Sequence, residues 1–251
     1  MKRIIAFLPV LLIAFNLIAQ KTYIWCGTLI DGVSKEAKKN MTIVVEKNKI
    51  TSVDNGFSKP EASDLTIDLK TKTVTPGWID MHVHVEIETK KGNVADRFIL
   101  NPADIAFESL KYVKATLMAG FTSVRDLGGS GVNISLRNAI NKGLVIGPRI
   151  YTAGKSIATT GGHADPTNGY RKDLMGDPGP REGVINGPED AYHAVRERYK
   201  EGSDLIKITA TGGVLSQAKD GANAQFTEEE IKAIVTAAKD YGFKVAAHAH
   251  G

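Results

Sequence analysis

Apolar residues fall into three regimes along the chain. Ile4 to Phe15 is an apolar run placed directly behind Lys2 and Arg3. From Lys21 to Gly32 and from Met41 to Val53 the pattern is that of short strands. There Thr42–Val45 and Lys49–Val53 are β-branched stretches, and Glu46-Lys47-Asn48 between them suits a hairpin turn. Ile67, Leu69 and Val74 continue the strand pattern, so residues 20–75 read as a small β unit. From Pro76 onward strands and helices alternate. A strand near Gly77–His84 precedes a helix carrying Ala106, Leu110, Val113 and Leu117 at helical spacing, which Gly120 ends. A strand at Thr122–Arg125, a helical stretch near Ile134–Asn141 and a strand at Arg149–Ala153 follow. A third helix opens at Pro188, a favoured first-turn residue, and leads to a strand at Asp204–Thr209. A fourth begins at the capping-box pair Thr227 and Glu230, with a predicted apolar stripe of Ile231, Ile234, Val235 and Ala238. The last strand spans Lys244–His248.

The first regime changes the compartment. Two basic residues, a short apolar run and the small residue Ala19 form the layout of a secretory signal peptide over residues 1–19. The run falls short of the roughly 20 apolar residues that a bilayer span needs, so no stable span is expected after cleavage. Export to the periplasm or medium is the expectation. With Cys26 as the one cysteine of the 251 residues, no internal disulfide can form, and a buried strand thiol is its expected role. Removing Lys2 and Arg3 takes the formal charge from +4 to 4 − 2 = +2, too balanced to suggest a nucleic-acid-binding face.

Strict alternation after Pro76 argues an α/β architecture with a parallel sheet and right-handed crossovers. An open doubly wound sheet and a (β/α)8 barrel both satisfy it, and the chemistry must choose.

The most informative stretch is Pro76-Gly77-Trp78-Ile79-Asp80-Met81-His82-Val83-His84. Side chains at i and i+2 of a strand share a face, so His82 and His84 present two imidazoles at a strand's carboxyl end. Paired neutral imidazoles suit zinc, and active sites of parallel α/β folds lie at that end. An isolated H-x-H is more often two packed or solvated histidines; the preceding Pro-Gly-x-Ile-Asp sharpens the signal.

This run resembles the opening barrel strand of the amidohydrolase superfamily, with its P-G-h-I-D-x-H-x-H signature. The resemblance extends through Gly27–Gly32, Gly120–Asp126 and Lys207–Val214. Within the superfamily it looks most like the Xaa-Pro dipeptidase (prolidase) branch, related to imidazolonepropionase. It implies a (β/α)8 barrel (residues 76–251, incomplete after about the fifth strand) and a small β-sandwich to which residues 20–75 contribute. It also implies His82, His84, Lys207 and His248 as ligands of two divalent metals, expected to be zinc. Lys207 would carry carbon dioxide as a metal-bridging carbamate; its neighbours Leu205, Ile206 and Ile208 point to the burial that would keep the amine neutral.

The implied activity is amide hydrolysis by a metal-bridged hydroxide, in dipeptides of Xaa-Pro or similar type. His250 shares a face with His248 and is a candidate substrate contact. So is His163, in Gly161-Gly162-His163-Ala164-Asp165, within a stretch from Lys155 to Ile185 that lacks clear periodicity. His193, beside Arg196 and Glu197 on a charged helix face, reads as solvated. The resemblance places a further histidine and the proton-transferring aspartate on the sixth and eighth strands. The chain is therefore expected to be part of a protein of roughly 400 residues, since a barrel alone takes about 250, and to be inactive by itself. An assembly of identical subunits is compatible with the pattern. Rival readings are a mononuclear hydrolase or deaminase acting on a heterocycle, which needs no bridging lysine, and an inactive metal-binding fragment.

Overall fold

A computed structural model describes residues 20–88, 95–214 and 221–250. The predicted signal segment 1–19 and the terminal Gly251 lie outside the described residues. Two compact units divide at Pro76 and Gly77.

The first unit is one four-stranded sheet built from β1 (Lys21–Leu29), β2 (Lys38–Glu46), β3 (Lys49–Asn55) and β4 (Leu65–Val74). The spatial order is β3-β2-β1-β4, antiparallel except for the parallel β1–β4 pair. Glu46 pairs with Lys49, so the hairpin turn is Lys47-Asn48, with Lys47 in the left-handed region at φ 57°. Cys26, Leu29, Met41 and Ile43 form one buried cluster, with Met41 and Ile43 on one face of β2 at strand spacing. The β1–β4 register slips next to Gly27, where a Cβ would overlap the Lys70 carbonyl; only glycine lets the two backbones meet there.

The second unit runs β5 (Trp78–Val83), α1 (Asp96–Ile99), α2 (Pro102–Met118), β6 (Phe121–Asp126), α3 (Val132–Asn141), β7 (Arg149–Thr152), β8 (Ala158–Thr159), α4 (Lys172–Met175), β9 (Val184–Ile185), α5 (Pro188–Glu201), β10 (Ile206–Thr209), α6 (Glu228–Asp240) and β11 (Val245–His248). Adjacent strands pair in parallel as β5-β6-β7 and as β10-β11. Two bonds and a bridge close the gap between these sheets: Asp204 N donates to Thr152 O at 2.8 Å, Ile157 N donates to Lys207 O at 2.7 Å, and Ile157 bridges Ile208 in parallel. Spatial order thus follows sequence order without the reversal that defines a doubly wound sheet. The alternation resolves in favour of the singly wound, barrel-type architecture.

Helix ends follow their sequence signals. Thr227 Oγ1 accepts from Glu230 N at 3.2 Å, and the Glu230 carboxylate accepts from Thr227 N at 2.8 Å. Asp104 does the same for Asn101 N at 2.8 Å ahead of Pro102. Among the described residues no helix is long and apolar enough to cross a membrane.

Two expectations need correction. The buried face of α6 is Ala233, Ile234, Ala237 and Ala238, while Val235 is 47% exposed and Ile231 only partly covered. The reason lies across the interface. Ala191 and Ala194 of α5 meet this face in the same cluster as Ile206 and Ile208, and small residues on both helices fit close approach. The stretch Lys155–Ile185 also contains structure: β8 pairs with β9 through Ala158–Val184 and Thr159–Ile185, and α4 lies between. Elements of two to four residues are too short to show a period. Arg198, fully buried on α5, ties both ends of this stretch down by donating to the carbonyls of Arg181 (2.5 Å) and Lys155 (3.4 Å).

Candidate metal and substrate site

His82 lies in β5 and His84 one residue beyond it, at the carboxyl end of the strand. Their ring centroids are 5.4 Å apart at a 64° tilt, and the β5–β6 register slips between Asp80 and Val83. The His84 Nδ1 lies 2.7 Å from Gly128 O. A carbonyl only accepts, so Nδ1 carries the hydrogen and Nε2 keeps its lone pair for a ligand.

Lys207 comes from the middle of β10, whose four residues are all buried; it is 4% exposed. Burial, helped by the Arg125 guanidinium, pushes its amine down to about 8. That approaches the neutral form needed to react with carbon dioxide. His248 ends β11, next to Thr209 in the register. Its Nε2 donates to Gly212 O at 2.9 Å, leaving Nδ1 as the free nitrogen. His82 is held below the ordinary histidine range first by partial desolvation, then by Lys207, His84, Arg125 and His248. These groups therefore share one electrostatic neighbourhood, and neutral imidazoles are what a divalent ion requires.

Among the described residues no three His, Cys, Asp or Glu side chains approach closely enough to hold an ion by themselves. The set that the fold gathers mixes His82, His84 and His248 with Lys207. Two histidines whose backbone bonds release one lone pair each, and a buried lysine with a depressed pKa, fit a divalent metal with a carbamate ligand.

His163 is not a free surface residue. Its ring stacks on His248 with centroids 4.5 Å apart and 30° between planes. Its backbone N–H donates to Gln225 Oε1 at 2.8 Å, and its buried Nδ1 has no partner. Gly213 makes room for it, since a Cβ there would sit 2.6 Å from the His163 Cε1. Burial and the neighbouring His248, Lys207 and His84 hold His163 below the usual range. His250 lies at the rim: its ring centroid is 6.3 Å from that of His248, and its N–H donates to Thr211 Oγ1 at 2.9 Å. His193 is 53% exposed, 3.5 Å from Glu197, and belongs to no site.

Sequence reading passed over four residues. Arg125 fixes its guanidinium through Nε to Met81 O at 2.7 Å, bringing a cation to His82 and Lys207. Asp126, Glu86 and Asn133 are buried behind His84. The signal for Asp126 was a carboxylate ending an apolar strand just before Leu127-Gly128-Gly129.

Known proteins bear on this arrangement as follows. The amidohydrolase family model matches residues 73–251. A solved Xaa-Pro dipeptidase with bound methionine in its active site is 51% identical, with a TM-score of 0.87 over 92% of this chain and 57% of that one. A prolidase solved with N-methylphosphonate-L-proline is 35% identical, with a TM-score of 0.78 over 92% of this chain and 56% of that one. Aspergillus niger ochratoxinase is 30% identical over 247 residues, 93% of this chain and 51% of that enzyme. The chain thus spans a little over half the length of the proteins it matches.

Proposed function

Because the chain belongs to the amidohydrolase family, we propose that the whole protein is a metal-dependent hydrolase of carbon–nitrogen bonds whose substrates are dipeptides, with Xaa-Pro among them. The observation that carries this is the gathering of His82 from β5, His84 just beyond it, Lys207 from the middle of β10 and His248 at the end of β11 in one electrostatic neighbourhood. The likeness to an Xaa-Pro dipeptidase and to a prolidase supports the substrate class. The basic and apolar leader at residues 1–19 supports export.

In this reading His82, His84 and His248, with Lys207 as its carbamate, would hold the divalent metal. Bound metal would supply an acidified water and a Lewis-acid contact for the substrate carbonyl. The residues themselves do the rest. Gly128 O and Gly212 O aim the free nitrogens of His84 and His248. Burial keeps the Lys207 amine reactive toward carbon dioxide. His163, whose ring stacks against His248, would be the side chain from the loop nearest a bound substrate. A single-metal heterocycle hydrolase would leave the burial of Lys207 without a purpose.

The test is metal content by mass spectrometry on the full-length protein together with a dipeptide panel. Two metals per chain and release of proline or another amino acid are expected. One metal per chain with Lys207→Met fully active would eliminate the bridged site. Two metals without turnover of any dipeptide would eliminate the substrate class.

A further inference from the structure

Behind His84 sits a carboxylate that the proposed chemistry does not use. Asp126 ends β6 with no exposed surface. Its Oδ2 accepts from Val85 N at 2.8 Å, and Val85 is the residue that follows His84. Its Oδ1 accepts from Gly128 N at 3.2 Å, from Asn133 Nδ2 at 2.7 Å and from Thr152 Oγ1 at 3.2 Å. Gly128 is the residue whose carbonyl accepts the His84 Nδ1 hydrogen. One carboxylate thus grips the backbone on both sides of the imidazole–carbonyl bond.

The turn is constrained from other directions too. Gly128 has φ 144°, and a Cβ there would press on the Ser156 hydroxyl while approaching His84 Cε1. Ser156 Oγ donates to Leu127 O at 3.0 Å. Asn133 is fully buried; its own N–H goes to Glu86 Oε1 at 2.6 Å, and Glu86 Oε2 takes Ser130 N at 2.6 Å. Glu86 and Asp126 therefore bracket the turn, and Asn133 links them.

We propose that Asp126 is a positioning residue: through Val85 N and Gly128 N it holds Gly128 O against the His84 Nδ1, fixing the tautomer that turns Nε2 toward the metal site. Its two oxygens receive only donors. An asparagine of the same shape must therefore oppose a donor with its own amide at one end, and the turn loses one anchor. Outer hydrogen-bond partners of metal-binding histidines typically change metal affinity by roughly 10–100-fold when removed.

The consequence for affinity rests on the metal reading given above; the tautomer does not. The experiment combines imidazole 15N shifts of the metal-free full-length protein with zinc affinity measured by chelator competition. Wild type should show His84 protonated at Nδ1 alone. Asp126→Asn should populate the other tautomer and weaken zinc binding roughly 10–100-fold. A residue important only for folding would lower the melting temperature and leave the tautomer intact. Should Asp126→Asn not fold, Thr152→Val removes one of the donors to Oδ1 and should give a several-fold loss with the same tautomer mixing. A wild-type His84 protonated at Nε2 overturns the proposal, and so does a folded variant that keeps one tautomer and full affinity. If wild type binds no zinc, the metal reading fails while the tautomer arm still decides the role of Asp126.

Discussion

Replacing Lys207 by methionine should make the metal-free protein more stable. The side chain is 4% exposed and its amine is held at about 8, against about 10.4 in an unfolded chain. A base whose folded pKa is depressed binds fewer protons folded than unfolded, so its penalty is complete below the folded value. The penalty then fades as pH rises from about 8 to about 10.4. The gap of roughly 2.4 units is worth about 3 kcal/mol at pH 7, at 1.36 kcal/mol per unit. Methionine fills nearly the same volume without a charge and removes that penalty together with the repulsion from Arg125. Urea denaturation followed by circular dichroism, in metal-free buffer stripped of carbon dioxide, measures the difference. Lys207→Met should exceed wild type by up to about 3 kcal/mol at pH 7 and lose most of that advantage near pH 10. A variant no more stable at pH 7, or an advantage equal at both pH values, would refute a lysine buried at a cost in folding energy for a ligand role.

Glu230→Ala should lower stability by about 2–4 kcal/mol in the same assay, because Thr227 N at 2.8 Å and Gly187 N at 2.7 Å both lose their acceptor. Glu230→Gln, keeping one acceptor oxygen, should lose about half as much; equal losses would show that the two contacts do not act separately. Gly213→Ala should push the His163 ring off His248, since the new Cβ would lie 2.6 Å from Cε1 and 2.9 Å from Nε2. In the full-length enzyme that should raise KM at unchanged metal content, and an unchanged KM would remove His163 from substrate contact.

Strand-borne features were legible because they repeat at short range. Period two placed His82 and His84 together, β-branched runs marked β2 and β3, and Thr227 with Glu230 marked the start of α6. What escaped depends on what lies across an interface. The buried face of α6 is set by alanines on α5, so ranking side chains by apolar size chose Ile231 and Val235 where Ala233 and Ala237 are covered. Arg198 follows Arg196 and Glu197 in a charged run, yet it is buried because it closes the loop from Lys155 to Arg181. Gly128 and Gly212 act through their carbonyls, and a backbone group has no residue type to read.

The two carbonyl contacts also explain why histidines on different strands are not equivalent parts. His84 spends Nδ1 on Gly128 and presents Nε2, the nitrogen farther from its Cα. His248 spends Nε2 on Gly212 and presents Nδ1, the nearer one. The imidazole just beyond β5 therefore offers its lone pair farther from its own backbone than that from β11 does. This shorter reach leaves the outer edge of the His248 ring against Gly212 and its face against His163. The loop after β7 can then come in beside His248 of β11 without competing for its free nitrogen. Chemistry common to the family sits on strands, where side-chain direction is fixed by the pleat. His163 sits on the loop, held by Gln225 and by the absence of a side chain at Gly213. Changing the loop sequence around His163 should thus leave His82, His84 and Lys207 in their places.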